Sequence, residues 1–166
     1  KAYADLGLAA AGIQLIGPNA IVPDDELKNM GDAAIGAISA SHYSAAGDRA
    51  PNRAFVSEWK KAYGPESLPN YFAVGGWDGM AAIVSAIRAQ NGELEAKRTL
   101  EFLTNWSNPD SPRGPMRIDP ETRDVIHNIY IRRVQKVDGE LRNVEFATIP
   151  SVKDPWKELH PEGPGG

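Results

Sequence analysis

From Ala2 to Ser41 helical and strand signals take turns, and from Asn52 to Trp106 three helical signals follow one another with no strand between them. This change of rhythm constrains the fold more than any single motif. Alternating helices and strands build a parallel sheet with helices packed on it. A run of helices alone does not extend such a sheet, so the chain must leave it near Tyr43.

Residues 2–10, rich in Ala and Leu, read as the rear of a helix that runs into Gly12 as its C-cap. This resembles a start in mid-domain. Ile13, Leu15 and Ile16 predict a short strand stopped by Gly17-Pro18. Asp24-Asp25-Glu26 stands before Leu27 and Met30, as acidic residues do at the positive end of a helix. A short helix over 24–31 with this triplet in solvent is expected. Ala33 to Ser41, carrying Ile35 and Ile38, predicts a second, buried strand.

Asn52 reads as the cap of a helix whose Phe55, Val56, Trp59 and Tyr63 share one face. A longer helix is predicted from Asn70 to Ala89. Phe72, Val74, Trp77, Met80, Ile83, Val84 and Ile87 make it apolar nearly all round, the pattern of a buried helix. A third helix is predicted over 93–106. Beyond Asn108 the chain turns to prolines and strands: a short strand at Pro115–Ile118, then Val125–Val137 and Leu141–Ile149. Asp138-Gly139 between the last two is a two-residue hairpin signal. The alternation slips at Arg132-Arg133, where a bulge is expected. In the tail, Trp156 is expected to pack back and the last six residues to be disordered.

The 166 residues, −4 net charge and absence of Cys narrow the function. There is no basic excess for nucleic acid, no thiolate for metal or nucleophilic chemistry, and no apolar run of bilayer length. His42, His127 and His160 form no metal-ligand spacing, and neither GxSxG nor SxxK occurs. No residue recommends an enzyme, and no cofactor is implied. Asp119, Glu121 and Asp124 read as a turn rather than a calcium loop. His127, beside Asn128, is expected to be an exposed strand residue. His42 and Tyr43 end the second strand, where ligands of open α/β sheets bind. Gly75-Gly76-Trp77-Asp78-Gly79 puts three glycines inside a helix, at about 1 kcal/mol each against Ala. Close helix packing or a ligand approaching the backbone would offset that cost.

Four segments, residues 13–44 (with MGDAAIG before the strand), 52–64, 70–92 (with the GGWDG stretch) and 111–141, stand in the order found in periplasmic solute-binding proteins of ABC transporters for branched-chain amino acids and related solutes. The chain resembles the C-terminal part of that family. The resemblance implies a type I periplasmic-binding fold: two α/β lobes, each a parallel sheet with flanking helices, and a ligand cleft between them. Residues 1–43 would belong to the second lobe, 44–112 would cross into first-lobe helices, 113–150 would return as second-lobe strands, and 151–166 would be the tail. The missing N-terminal part of the same protein would hold the export signal and most of the first lobe. The implied partners are a small solute and a membrane permease, and the implied location is the periplasm.

By the same resemblance Asn19 after Pro18, and Val74 with Gly75 and Trp77 nearby, would line the cleft, together with His42 and Tyr43 at the strand end. Relatives that bind amino acids carry an acidic residue where this chain has Asn19. A neutral amide does not supply the charge that an ammonium requires in a partly dry cleft. The implied solute is therefore an apolar or aromatic carboxylate, with a branched-chain amino acid as the family's other option. A sensory ligand-binding domain of the same fold is the alternative to transport.

Overall fold

The computed structural model describes residues 2–160. The expectation of disorder for residues 161–166 lies outside the described residues. Helix α1 is only Ala2–Asp5, and turns replace the rest of the expected helix up to Gly12. Gly7 and Gly12 take φ values of +64° and +78°, a left-handed backbone that ends helices. Strand β1 is Ile16–Pro18, so Gly17-Pro18 lies within the strand instead of stopping it. Its one strand neighbour is β2, Ile38–Ser41, paired in parallel from Ile16–Ile38 to Pro18–Ala40. An edge strand tolerates proline because one row of its N–H groups has no ladder partner.

Between these strands lie short pieces: 3-10 turns at Asn19–Ile21 and Gly31–Ala34, and α2 at Leu27–Met30. The second strand thus starts later than expected, after Gly36 at φ +85°. Asp24 is buried rather than in solvent. The fully buried Arg132 reaches it, Nη1 lying 3.1 Å from Asp24 Oδ2. Burial pushes the Asp24 carboxyl up, with the Arg132 charge opposing. Asp25 stays exposed and accepts from Asn70 Nδ2 at 2.9 Å.

Helix α3, Ala50–Tyr63, begins before Asn52, with Pro51 in its first turn. The Asn52 amide is no cap. It is buried and donates to the carbonyls of Ser44, Ala45 and Gly47, folding the loop onto the helix. Helix α4, Tyr71–Ala89, is capped by Asn70, whose Oδ1 accepts from the Phe72 and Ala73 amides. Helix α5 is Ala96–Thr104, capped by Glu95. Tyr43, Ala45, Phe55 and Val74 form one core cluster, and Val22, Leu27, Ala34, Ala37 and Val134 form another.

The expectation that α4 is buried all round is not met. Phe72 is 73% exposed and Met80 57%, with Ile83 and Ile87 continuing the same stripe. Within the described residues, packing reaches α4 mainly on the face opposite this stripe. Gly76 and Gly79 have nothing within 4 Å of where a Cβ would sit, so close packing does not explain them here.

Strands β3 (Ser107–Asn108), β4 (Met116–Ile118), β5 (Val125–Val137) and β6 (Glu140–Val152) complete the sheet. Its order is β1-β2-β5-β4-β3, with β6 on the other edge of β5. Asp138 and Gly139 both have positive φ, as the expected hairpin turn requires. The pairing of β5 with β6 shifts register between Ile131 and Arg132, near the expected bulge, and again between His127 and Ile129. Yet β5 keeps its own alternation, because Tyr130, Arg132 and Val134 are all buried. Helix α6, Pro155–Leu159, leaves Trp156 59% exposed against His160 instead of packed back.

Candidate functional site

Strand β5 serves two partners on one edge. Residues 130–133 pair with β2, and residues 125–127 pair with β4. Strand β6 takes the opposite edge of β5 at His127 and from Ile129 onward, so β2 and β4 share one edge and β2 ends where β4 begins, across from Asn128 and Ile129. The chain departs here through His42 and Tyr43 and returns through Arg113 and Gly114. The carboxyl end of a parallel strand beside a break in the strand order is where open α/β sheets take ligands.

Polar side chains meet at this point. The His42 and His127 rings lie 5.2 Å apart, centroid to centroid, and Tyr71 stands edge-on to His42 at 6.4 Å. Nε2 of His42 is 3.4 Å from the Tyr71 carbonyl oxygen. Nδ1 of His127 is buried with no hydrogen-bond partner. Burial first, and then the positive charge of Arg113, pushes both imidazoles down to about 4. Both are therefore neutral at pH 7.

Arg113 is itself held. Its Nε donates to Asp78 Oδ2 at 2.6 Å, and Ser111 Oγ donates to the same oxygen at 3.0 Å. Asp78 comes from α4, where Tyr71, Val74, Gly75 and Asp78 share a face at helical spacing. A Cβ on Gly75 would stand 3.9 Å from Arg113 Nη2, an ordinary contact distance, which places Gly75 beside the guanidinium. Tyr130 Oη donates to the Arg113 carbonyl at 2.6 Å. Arg49 donates to the Pro112 carbonyl, lies over the Tyr130 ring at 4.4 Å, and grips Glu145 with two bonds of 2.7 and 2.9 Å. The loop carrying Arg113 is thus fixed by α3, α4, β5 and β6 together.

The structure brings His42 and Gly75 to this wall. It places Tyr43 and Val74 fully buried behind it. Asn19 is half-buried and Pro18 exposed at the end of β1, on the same rim as His42, one step past the Pro18–Ala40 pair. Trp77 turns toward α3 and meets Phe55 at 5.1 Å, away from Arg113. His127 is half-buried against His42 rather than an exposed strand residue. Sequence reasoning also missed Tyr71, Arg113 and Asp78. A lone Asp in an apolar helix is a usable signal, since a buried carboxylate requires a cation or donors.

A groove of about 560 Å³ lies at the other end of β5, by the Asp138-Gly139 turn. Within it Lys28 pairs with Glu66 at 3.3 Å and Lys136 with Asp32 at 3.2 Å. Among the described residues no three His, Asp or Glu side chains stand close enough to hold a metal ion. No helix among them is long and apolar enough to cross a membrane.

Residues 1–140 match the family described as periplasmic binding protein. Over 158 residues the chain is 39% identical to Leu/Ile/Val-binding protein homolog 6 of Brucella abortus, an alignment covering 93% of this chain and 40% of that protein. Among solved structures it is similar to a solute-binding protein of an ABC transporter from Rhodopseudomonas palustris BisB5 in complex with 3,4-dihydroxybenzoic acid. That match has 46% identity and a TM-score of 0.87, over 93% of this chain and 42% of the other. A second such protein, from R. palustris HaA2 in complex with p-hydroxybenzoic acid, is 34% identical with a TM-score of 0.85, over the same 93% and 42%. The chain spans about 40% of the length of the curated relatives it matches. These relatives are binding proteins, not enzymes.

Proposed function

The chain belongs to the periplasmic binding protein family, and from that premise we propose that it is part of an extracytoplasmic solute-binding component of an ABC uptake transporter. The solute is a small aromatic or apolar carboxylate, taken in a cleft between two lobes. Asn19, His42 and Gly75 line the cleft with Pro18 at its rim. Tyr43, Val74 and Trp77 shape its wall from behind.

The observation that carries this reading is the charge of the wall. Asp78, its carboxylate, is bound through Oδ2 by Arg113 and Ser111, with Oδ1 buried and without a partner. Asn19 and the two imidazoles are neutral. An ammonium would have to compete with Arg113 for that carboxylate, whereas the guanidinium, bound to Asp78 through Nε, keeps donors for an anion. The similarity to proteins that hold hydroxybenzoic acids supports the same solute class.

Residues 1–43 and 113–150 form second-lobe structure, and 44–112 the excursion into the first lobe, with 151–166 as a tail. The chain then crosses between lobes at about 43–50 and 109–114, and closure bends it there around the solute. The closed form docks on a membrane permease. The bare stripe of Phe72, Gly76, Met80, Ile83 and Ile87 packs against the rest of the first lobe in the whole protein. Calorimetry of the whole periplasmic protein with benzoate, hydroxybenzoates and leucine tests the reading. Binding of the aromatic acids is expected. Tight leucine binding with no response to any aromatic acid refutes it.

A further inference from the structure

The geometry points to His42 and His127 as a reader of a hydroxyl group on the solute ring, which makes the site selective for hydroxylated aromatic acids over unsubstituted ones. This rests on the aromatic-carboxylate reading above and adds to it the residues that discriminate within that class.

The argument is one of donors and acceptors. A neutral imidazole has one nitrogen that donates and one that accepts. His42 Nε2 faces a carbonyl oxygen, that of Tyr71, so it carries the proton. Nδ1 of His42 is then an acceptor. His127 is the mirror case. Its Nδ1 is buried without a partner. An orphaned buried N–H is rarer than an orphaned acceptor, so the proton sits on Nε2, which becomes a free donor. The two rings, 5.2 Å apart between centroids, thus carry one acceptor and one donor between them.

A hydroxyl is the group that answers both, because it donates once and accepts twice. A carboxylate only accepts and leaves His42 Nδ1 unmet. An ammonium only donates, leaves His127 Nε2–H unmet, and is repelled by Arg113. Arg113, His127 and Arg132 oppose protonation of His42, and Arg113 opposes that of His127. Asp78 Oδ2 is bound by Arg113 Nε and Ser111 Oγ, and Asp78 is not among the groups that shift either imidazole. His127 lies in β5, and His42 follows β2 by one residue, just past the Ser41–Tyr130 pair, so the sheet anchors the chain on both sides of the histidine pair.

Calorimetry of the whole protein with 3-hydroxybenzoate, 4-hydroxybenzoate and benzoate tests this. The wild-type protein is expected to prefer at least one hydroxybenzoate by tenfold or more. His127→Phe, which keeps the ring and removes both nitrogens, is expected to bring that acid down to the benzoate affinity while benzoate changes less than threefold. His42→Phe is expected to lower the ratio of hydroxybenzoate to benzoate affinity toward one, whatever its effect on benzoate itself, and serves where His127→Phe does not fold. Equal loss for hydroxylated and plain acids marks a merely structural role and overturns the proposal. So does a preference that survives both substitutions. If no aromatic acid binds the wild-type protein, the solute-class reading falls, and this inference with it.

Discussion

Removing the guanidinium of Arg132 should unlock the point where the chain leaves the sheet. Arg132 is fully buried. Nη1 donates to Asp24 Oδ2 at 3.1 Å and to the Tyr43 carbonyl at 2.7 Å, while Nε and Nη2 donate to Ser39 Oγ. Arg132→Met keeps most of the volume but strands a buried carboxylate and a buried carbonyl. Breaking one side of such a pair costs about 4 kcal/mol, and Asp24→Asn, which strands the cation, about 3. The double variant buries no lone charge and loses chiefly the Tyr43 contact, so it should cost about 3 kcal/mol rather than the sum of about 7. Urea unfolding of the whole protein, followed by circular dichroism, measures all three.

The pH dependence is a second check on the same residues. Without Arg132 the buried Asp24 has its folded pKa raised above the unfolded value near 3.9. The folded state then takes up a proton that the unfolded state does not hold. The cost of Arg132→Met is therefore largest at pH 7 and shrinks as pH falls toward about 5. Additive single effects, a cost under about 1 kcal/mol, or a penalty that does not change with pH would show that Arg132 is not held as a coupled pair.

Three further outcomes are expected. Gly114 has φ +95°, and a Cβ there would stand 2.5 Å from Tyr130 Oη, so Gly114→Ala should cost about 2 kcal/mol or more in thermal unfolding and weaken solute binding by displacing Arg113. His42 and His127 are pushed down to about 4 when folded, against 6.5 otherwise. The unfolded chain binds those protons first, so stability is full above pH 6.5 and falls between pH 6.5 and 4, by about 1–2 kcal/mol per histidine after allowing for partial exposure. Unfolding at stepped pH shows this, and His127→Phe should flatten the slope. Gly76→Ala meets nothing among the described residues and should gain about 0.5–1 kcal/mol of helix propensity if the α4 stripe is bare. A loss in the whole protein instead shows that the stripe is covered closely.

What could be read from the sequence follows the reach of each interaction. The helix start at Asn70 and the turn at Asp138-Gly139 were legible because both are decided within four residues. The change from alternation to consecutive helices gave the class of fold, since each period is local. Pro18 was misread as a strand stop because its tolerance depends on which edge of β1 meets β2, a pairing that no local window contains. Asp24 and Arg132 were misread together. A charge at an inward position looks like solvent exposure or a slipped strand until its partner, 108 residues away, is known.

The site obeys the same rule with a further twist. His42 was legible because a strand end is a local signal and the C-terminal rim of a parallel sheet is where ligands go. His127 was not, because β5 meets β2 and β4 on one edge only after the sheet is assembled. Its neighbour Asn128 made it look solvated. Arg113 sits between Pro112 and Gly114, which reads as a loop and hides a buried guanidinium. The residues that set the chemistry of the wall are thus those whose local context argues for solvent. Each is polar, each is buried or half-buried, and Asp78, Arg113 and His42 are answered, wholly or in part, from another element: Asp78 by Arg113, Arg113 by Asp78, and His42 by the Tyr71 carbonyl. His127 Nδ1 has no such answer. With that nitrogen buried as an acceptor, the ring offers a solute its other nitrogen, Nε2–H, as a donor. The discrimination experiment therefore belongs on that residue first.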